Sequence, residues 1–238
     1  MLQACLNGGR TKQFSAAVPV TPRELATDAK AVVEAGAQEL HVHPRDASGL
    51  ETLNPDDVAE AIQAIRASVP GIPIGLSTGW WIAPGGNARQ EKIRAWHVLP
   101  DYVSVNLVEE DAPDIIAIVM EKGIDVEAGL WGVSDAERFV KLPGARSGLR
   151  VLIEINQQDV AEGREVAQAI LGVLNRSEVH MPRLLHGSDA TKWPIFRDAV
   201  RLGLDSRIGF EDGDALPSGS RANSNAELIR AARVLLTK

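Results

Sequence analysis

Eight times along this chain a short apolar run is followed by a segment with helical spacing, and few folds accommodate that alternation. The apolar runs are Leu2 to Leu6, Glu39 to His43, Ile72 to Leu76, Tyr102 to Leu107, Asp125 to Leu130, Arg150 to Ile155, Arg183 to His186 and Ser206 to Phe210. The helical segments run from Thr21 to Gly36, Asn54 to Ser68, Ala88 to Val98, Ala112 to Lys122, briefly beyond Ser134, Val160 to Leu174, Trp193 to Leu202 and Asn225 to Leu236. Several carry their own start signal. Thr21-Pro22-Arg23-Glu24 places an N-cap, a proline at the first helical position and a glutamate at the third, and Asn54-Pro55 does the same for the next helix. The units recur at roughly 25–35 residues, the length of one β-α-β step, with no long linker or low-complexity tract. A single (β/α)₈ barrel over residues 1–238, an α/β fold, is therefore expected. The competing open doubly wound sheet lacks its usual support, because no Gly-x-Gly-x-x-Gly or Walker pattern follows the first strand.

Charge narrows the partners. The net charge is −7 and no run of Lys and Arg supplies the concentrated basic face that phosphate backbones require, so nucleic acid is excluded and a small molecule is expected. The single cysteine, Cys5, forbids an intrachain disulfide. No apolar stretch approaches about 18 residues, and no basic-then-apolar leader opens the chain. A cytoplasmic protein without membrane attachment is expected, assembled as a homo-oligomer.

In a barrel the C-terminal strand ends form the functional face. Asn7, His41, His43, Arg45, Asp46, Ser77, Thr78, Ser104, Asn106, Glu127, Glu154, His186, Asp189, Glu211 and Asp212 all fall near predicted strand ends. Wet strand ends are polar in any case. That does not account for imidazoles at the top of an otherwise apolar strand. In Leu40-His41-Val42-His43-Pro44-Arg45-Asp46 the two histidines stand at i and i+2, on one side of a strand and roughly 6.5–7 Å apart, where both can grip one ion. Two inward histidines can equally be satisfied core groups. As ligands they require a third partner and an open position. Glu211, closing the eighth strand in Arg207-Ile208-Gly209-Phe210-Glu211-Asp212, completes a His₂Glu set, a familiar catalytic zinc arrangement. His97, in a helix, and His180, in a polar loop, read as surface residues, which leaves His186 as the one rival ligand.

These segments, with Val20-Thr21-Pro22, Glu34-Ala35-Gly36-Ala37, Ser77-Thr78-Gly79, Ser104-Val105-Asn106 and Ser224-Asn225-Ala226-Glu227, resemble the β-keto acid cleavage enzymes, the family that includes the 3-keto-5-aminohexanoate cleavage enzyme. The resemblance spans most of the chain. It implies a zinc-dependent (β/α)₈ barrel that takes a β-keto acid and acetyl-CoA and yields acetoacetate and a new CoA ester. It places the zinc ligands on His41, His43 and Glu211, the catalytic pair on Arg207 and Asp212, and substrate contacts on Ser77, Ser104 and Glu127. Thr78 and Asn106 join the expected substrate contacts. In this reading Asp212 removes a proton as general base.

The chain departs from the family pattern at three places. It is shorter between Asn106 and Glu127. It reads Ile153-Glu154-Ile155-Asn156-Gln157-Gln158 where the family has a glycine-rich strand end. Trp80 stands where the family has a glycine, so an indole is expected to narrow the substrate pocket. Two other functions stay open: a CoA-independent zinc lyase or aldolase acting on a small keto acid, and a non-catalytic metal-binding or ligand-sensing barrel.

Overall fold

The computed structural model describes residues 1–82, 86–143 and 147–237. Eight parallel strands, β1 (Leu2–Cys5), β2 (Glu39–Val42), β3 (Ile74–Ser77), β4 (Tyr102–Asn106), β5 (Asp125–Leu130), β6 (Arg150–Ile155), β7 (Arg183–Gly187) and β8 (Ser206–Ile208), lie in the order β7-β6-β5-β4-β3-β2-β1-β8. The two ends of that sheet meet. Leu185 N donates to Asp205 O at 2.9 Å, Asp205 N to Arg183 O at 3.0 Å and Ser206 Oγ to Leu185 O at 2.7 Å, closing the barrel. Among the described residues eight α-helices cover it: α1 (Pro22–Glu34), α2 (Pro55–Ser68), α3 (Asn87–Arg94), α4 (Ala112–Glu121), α5 (Val133–Lys141), α6 (Val160–Arg176), α7 (Lys192–Arg201) and α8 (Asn225–Leu236). The expected fold is the observed one.

Local chemistry starts the helices where the sequence says it should. Thr21 accepts from Glu24 N while the Glu24 side chain returns to the Thr21 backbone, and Asn54, Asp159 and Ser224 cap α2, α6 and α8. Most expected boundaries shift by a residue or two, and two shifts move a histidine or a candidate ligand. The third helix stops at Arg94 rather than Val98, because Trp96 turns inward and donates its indole N–H to Leu53 O at 3.0 Å, which pulls the chain off the helical path. His97 therefore lies beyond the helix, exposed, as is His180. β8 ends at Ile208, and Glu211 sits on a 3₁₀ turn, Phe210–Asp212, instead of closing the strand.

The apolar core lies between barrel and helices, built from residues such as Leu40, Ile62, Val103, Phe139, Ile170, Phe196 and Ile229. The barrel interior is different, since its floor is polar. Arg150 donates from Nε to Glu127 Oε1 at 2.7 Å and from Nη2 to Glu39 Oε2 at 2.5 Å, with its guanidinium 5.1 Å from the centre of the Tyr102 ring. Gln3 Nε2 adds bonds to the Tyr102 hydroxyl and to Glu127. Gly75 is required here, because a Cβ would run into the Tyr102 ring. Glu127, expected to contact substrate, is thus a fully buried member of the floor.

Removing one partner of such a pair strands the other charge in the interior. Arg150→Met is predicted to destabilise the fold by roughly 3–5 kcal/mol, and the double change Arg150→Met with Glu127→Leu to recover part of it. Urea denaturation of the two variants checks this. Equal stability of both with the parent would show that the floor is not held by charge.

Candidate metal centre and cavity

β1 pairs with β2 on one side and β8 on the other, so the top of β2 and the turn after β8 face each other across one strand. His41 and His43 bring their Nε2 atoms to 3.1 Å at the end of β2. His43 lies one residue past the strand, and Asn7 takes over where the ladder stops: its Oδ1 accepts from His43 N at 2.9 Å and its Nδ2 donates to His43 O at 2.8 Å. Glu51 then fixes the ring, with Oε1 2.5 Å from His43 Nδ1. A tight turn delivers that carboxylate. Asp46 Oδ1 accepts from Ser48 N and Leu50 N, Gly49 takes φ +83°, and the chain reverses so that Glu51 bridges Arg45. With Nδ1 occupied, His43 offers Nε2 to the cavity.

Glu211 approaches from the opposite side. Its oxygens lie 3.8 Å from His41 Nε2 and 3.6 Å from His43 Nε2, and Oε1 accepts from Arg207 Nη2 at 2.9 Å. The turn carrying it is pinned by Asn225, which accepts from Phe210 N at 2.6 Å and donates to Leu6 O at 2.8 Å. Gly8, at φ +51°, makes room, because a Cβ there would overlap the Glu211 side chain. Among the described residues, His41, His43 and Glu211 are the one group whose ligand atoms converge, all within 4.8 Å of one another. Among the described residues the buried Oε2 of Glu211 has no hydrogen-bond partner. Two imidazole nitrogens and an unpartnered buried carboxylate oxygen fit a divalent ion of the zinc type. His186 stands apart from this set.

The charges agree. Burial pulls His43 down, but the Glu211 and Glu51 carboxylates outweigh it and raise its pKa to about 9. Burial lowers His41 to about 4 against the pull of Glu211. Burial acts to raise Glu211, yet Arg207 and the two imidazoles hold it well below the usual carboxylate range. Without an ion the imidazole pair thus favours a single positive charge, on His43.

A cavity of about 170 Å³ opens beside this centre, and Ser77, Ser104, Asn106, Glu154 and Arg207 line it with the indole of Trp81. Four sequence-derived site residues lie elsewhere. Thr78 is buried and donates to Ser104 O at 2.7 Å, tying β3 to β4. Glu127 belongs to the floor. Trp80 is half exposed in a separate groove of about 970 Å³ with Val108, Glu109 and Trp131, whereas Trp81 packs over Gly79 and donates to Glu51 Oε1 at 3.3 Å. Asp212 lies behind Arg207. Its Oδ1 accepts from Arg207 Nη2 at 3.0 Å and its Oδ2 from Cys5 Sγ at 3.0 Å, with His186 Nδ1 at 3.4 Å. Burial works to raise its pKa, but Arg207 and His186 bring it to about 2. Sequence reasoning missed Glu51 and Trp81 and had Asn7 only as a polar strand-end residue; the Asp-x-Ser-Gly turn is the signal that returns Glu51 to His43.

The fold and the centre together define an α/β barrel with a His₂-carboxylate site at its C-terminal mouth. The chain belongs to the β-keto acid cleavage enzyme family, whose model matches residues 1–238. It is 24% identical to a 3-keto-5-aminohexanoate cleavage enzyme of Fusobacterium nucleatum, an alignment covering 92% of this chain and 84% of the relative. It is 25% identical to a 3-oxoadipate:acetyl-CoA acetyltransferase of Cupriavidus necator, covering 92% and 81%. In fold it is similar to a solved ternary complex of ObcA with a C4-CoA adduct and oxalate, with a TM-score of 0.76 at 16% identity; the match covers 94% of this chain and 64% of that one. No helix among the described residues is long and apolar enough to cross a membrane.

An ion bound by these ligands displaces the His43 proton, so affinity is expected to rise with pH up to about 9 and to weaken below it. Glu51→Gln, which loosens the ring without touching a ligand atom, is expected to lower zinc affinity about 10–100-fold. Competition titration with a chelating dye at several pH values measures both. Unchanged affinity in Glu51→Gln would contradict the assigned role of Glu51.

Proposed function

We propose that this chain is a zinc-dependent β-keto acid cleavage enzyme that condenses a β-keto acid with acetyl-CoA and releases acetoacetate and a new CoA ester. The observation that carries the reading is the convergence of His41, His43, Glu211 and Arg207 on one small cavity in a member of this family. An ion held by the three ligands supplies Lewis-acid polarisation of the keto oxygen. Arg207, whose guanidinium lines the cavity, pairs with the substrate carboxylate, while Ser77, Ser104 and Asn106 offer hydrogen bonds along the opposite wall. Trp81 roofs the cavity and limits water.

Asp212 lies behind Arg207 in the free protein, and it reaches and takes the proton from the carbon between the keto and carboxylate groups once a substrate carboxylate draws the guanidinium aside. In the free protein it stays ionised because Arg207 and His186 stabilise its charge, and a substrate carboxylate that draws the guanidinium toward itself raises its proton affinity. The carbanion attacks the thioester carbonyl, forming a C–C bond and releasing the CoA thiolate. The thiolate adds to the original keto carbon, the older C–C bond breaks, and the proton returns to the departing acetoacetate. A retro-Claisen cleavage of this kind balances without an oxidant or reductant.

Metal-loaded protein incubated with a panel of β-keto acids should form acetoacetate, by mass spectrometry, only when acetyl-CoA is present; cleavage without it would replace this reading by a CoA-independent lyase. Asp212→Asn should keep its zinc and lose turnover by about 10²–10⁴. Undiminished kcat with zinc retained would exclude Asp212 as the base.

A further inference from the structure

One of the segments that carry the family resemblance, Ser224-Asn225-Ala226-Glu227, has no part in the chemistry above. Ser224 caps α8 by accepting from Glu227 N, and the Glu227 carboxylate turns back to accept from Asn223 N at 2.8 Å. Asn225 does neither. It is fully buried, and its amide leaves its own helix to join three other elements. Oδ1 accepts from Phe210 N at 2.6 Å, while Nδ2 donates to Leu6 O at 2.8 Å and to Asp28 Oδ2 at 2.6 Å. Both amide hydrogens are therefore used, and the oxygen as well.

The bond to Phe210 matters because that residue precedes the ligand Glu211 at a point where no ladder holds the chain. β8 ends at Ile208, and the 3₁₀ turn Phe210–Asp212 hangs between Gly209 and Gly213, the latter at φ +126°. At the far end of the turn Asp189 N donates to Asp212 O at 2.7 Å, and Arg10 Nε reaches Glu211 O at 3.3 Å. At the near end Asn225 holds the Phe210 peptide, and with it the direction in which Glu211 leaves the backbone. Two of the Asn225 bonds, to Leu6 and Phe210, define an axis about which the amide can still pivot. The third, to Asp28, removes that freedom, and its carboxylate acceptor makes it the stronger kind of hydrogen bond. Asp28 belongs to the outer helix α1. It lines a cavity of about 390 Å³ with Arg23, Thr27 and Ser224, separate from the catalytic one.

Resting on the metal centre and function argued above, we propose that Asp28 is a positioning residue for Glu211, acting through Asn225 from outside the barrel. A carboxylate ligand delivers its oxygen at bonding distance only if its backbone is held, and groups that orient metal ligands from behind are worth about 10–100-fold in affinity. A mere tie between α1 and α8 would add stability and leave the centre unchanged.

The test uses the full chain with zinc as the probe. Zinc Kd by chelator competition, urea denaturation of the metal-free protein and hydrogen exchange of the Phe210 amide by NMR are measured in five proteins. These are wild type, Asp28→Leu, Asp28→Asn, Asn225→Asp and the exchanged pair Asp28→Asn with Asn225→Asp. Asp28→Leu is expected to weaken zinc binding about tenfold or more, and to speed exchange at Phe210 beyond any change in the strand amides of β1 and β2. Asp28→Asn keeps an acceptor for the Asn225 amide and should stay near wild type. Asn225→Asp sets two carboxylates face to face and should bind zinc most weakly. The exchanged pair puts the donor on α1 and the acceptor on α8, still accepts from Phe210 N, and should regain about tenfold over Asn225→Asp. An Asp28→Leu protein that loses stability yet matches wild type in zinc Kd and in exchange at Phe210 overturns the proposal and leaves a helix tie. So does an exchanged pair no better than Asn225→Asp. If Asn225→Asp does not fold, Asp28→Leu against Asp28→Asn decides. If wild type binds no zinc, the metal reading fails, and exchange at Phe210 still decides whether Asp28 holds the turn.

Discussion

Everything at the functional end of this molecule depends on β1 being paired on both edges. Its ladders to β2 and β8 set the tops of those strands one strand apart, so a carboxylate from residue 211 meets imidazoles from residues 41 and 43. The same strand supplies the floor under the contact: Cys5 reaches Asp212, and the loop after it contributes Asn7 to hold His43 and Gly8 to leave space for Glu211. The β1–β8 ladder makes the first and last strands neighbours, and the β7–β8 hydrogen bonds complete the ring.

Around that junction the interior is held by charge more than by shape. Arg150 gathers Glu127 and Glu39 beneath the cavity, and Arg207 gathers Glu211 and Asp212 at its wall. Arg150 is buried with Glu127 and Arg207 with Asp212, while Glu39 and Glu211 are partly exposed, so loss of a buried member leaves an uncompensated charge. The lower layer has no access to the cavity and acts on stability. The upper layer shares its residues with the site, which ties the acidity of Glu211 and Asp212 to the position of Arg207.

The architecture was legible in the sequence because the signals are local. Capping at Thr21 and Asn54, apolar runs of strand length and the regular spacing of units each act within a few residues, and together they specify the barrel. His41 and His43 were legible from the two-residue period of a strand. The ring-orienting Glu51 was not, because its approach needs a turn to reverse the chain, and neither was the placement of Glu127, which depends on a partner 23 residues away on the next strand. Trp80 and Trp81 could not be told apart either: adjacent residues in a loop point to different cavities according to what they pack on, and Gly79 accepts only one of the two indoles.

The central claim is that these three side chains form one metal site. Crystals of the zinc-loaded protein, measured with X-rays above and below the zinc absorption edge, test it directly. The account predicts one anomalous peak at bonding distance, roughly 2.0–2.2 Å, from His41 Nε2, His43 Nε2 and a Glu211 carboxylate oxygen. An ordered zinc bound by other groups, with no peak between these three, would contradict it.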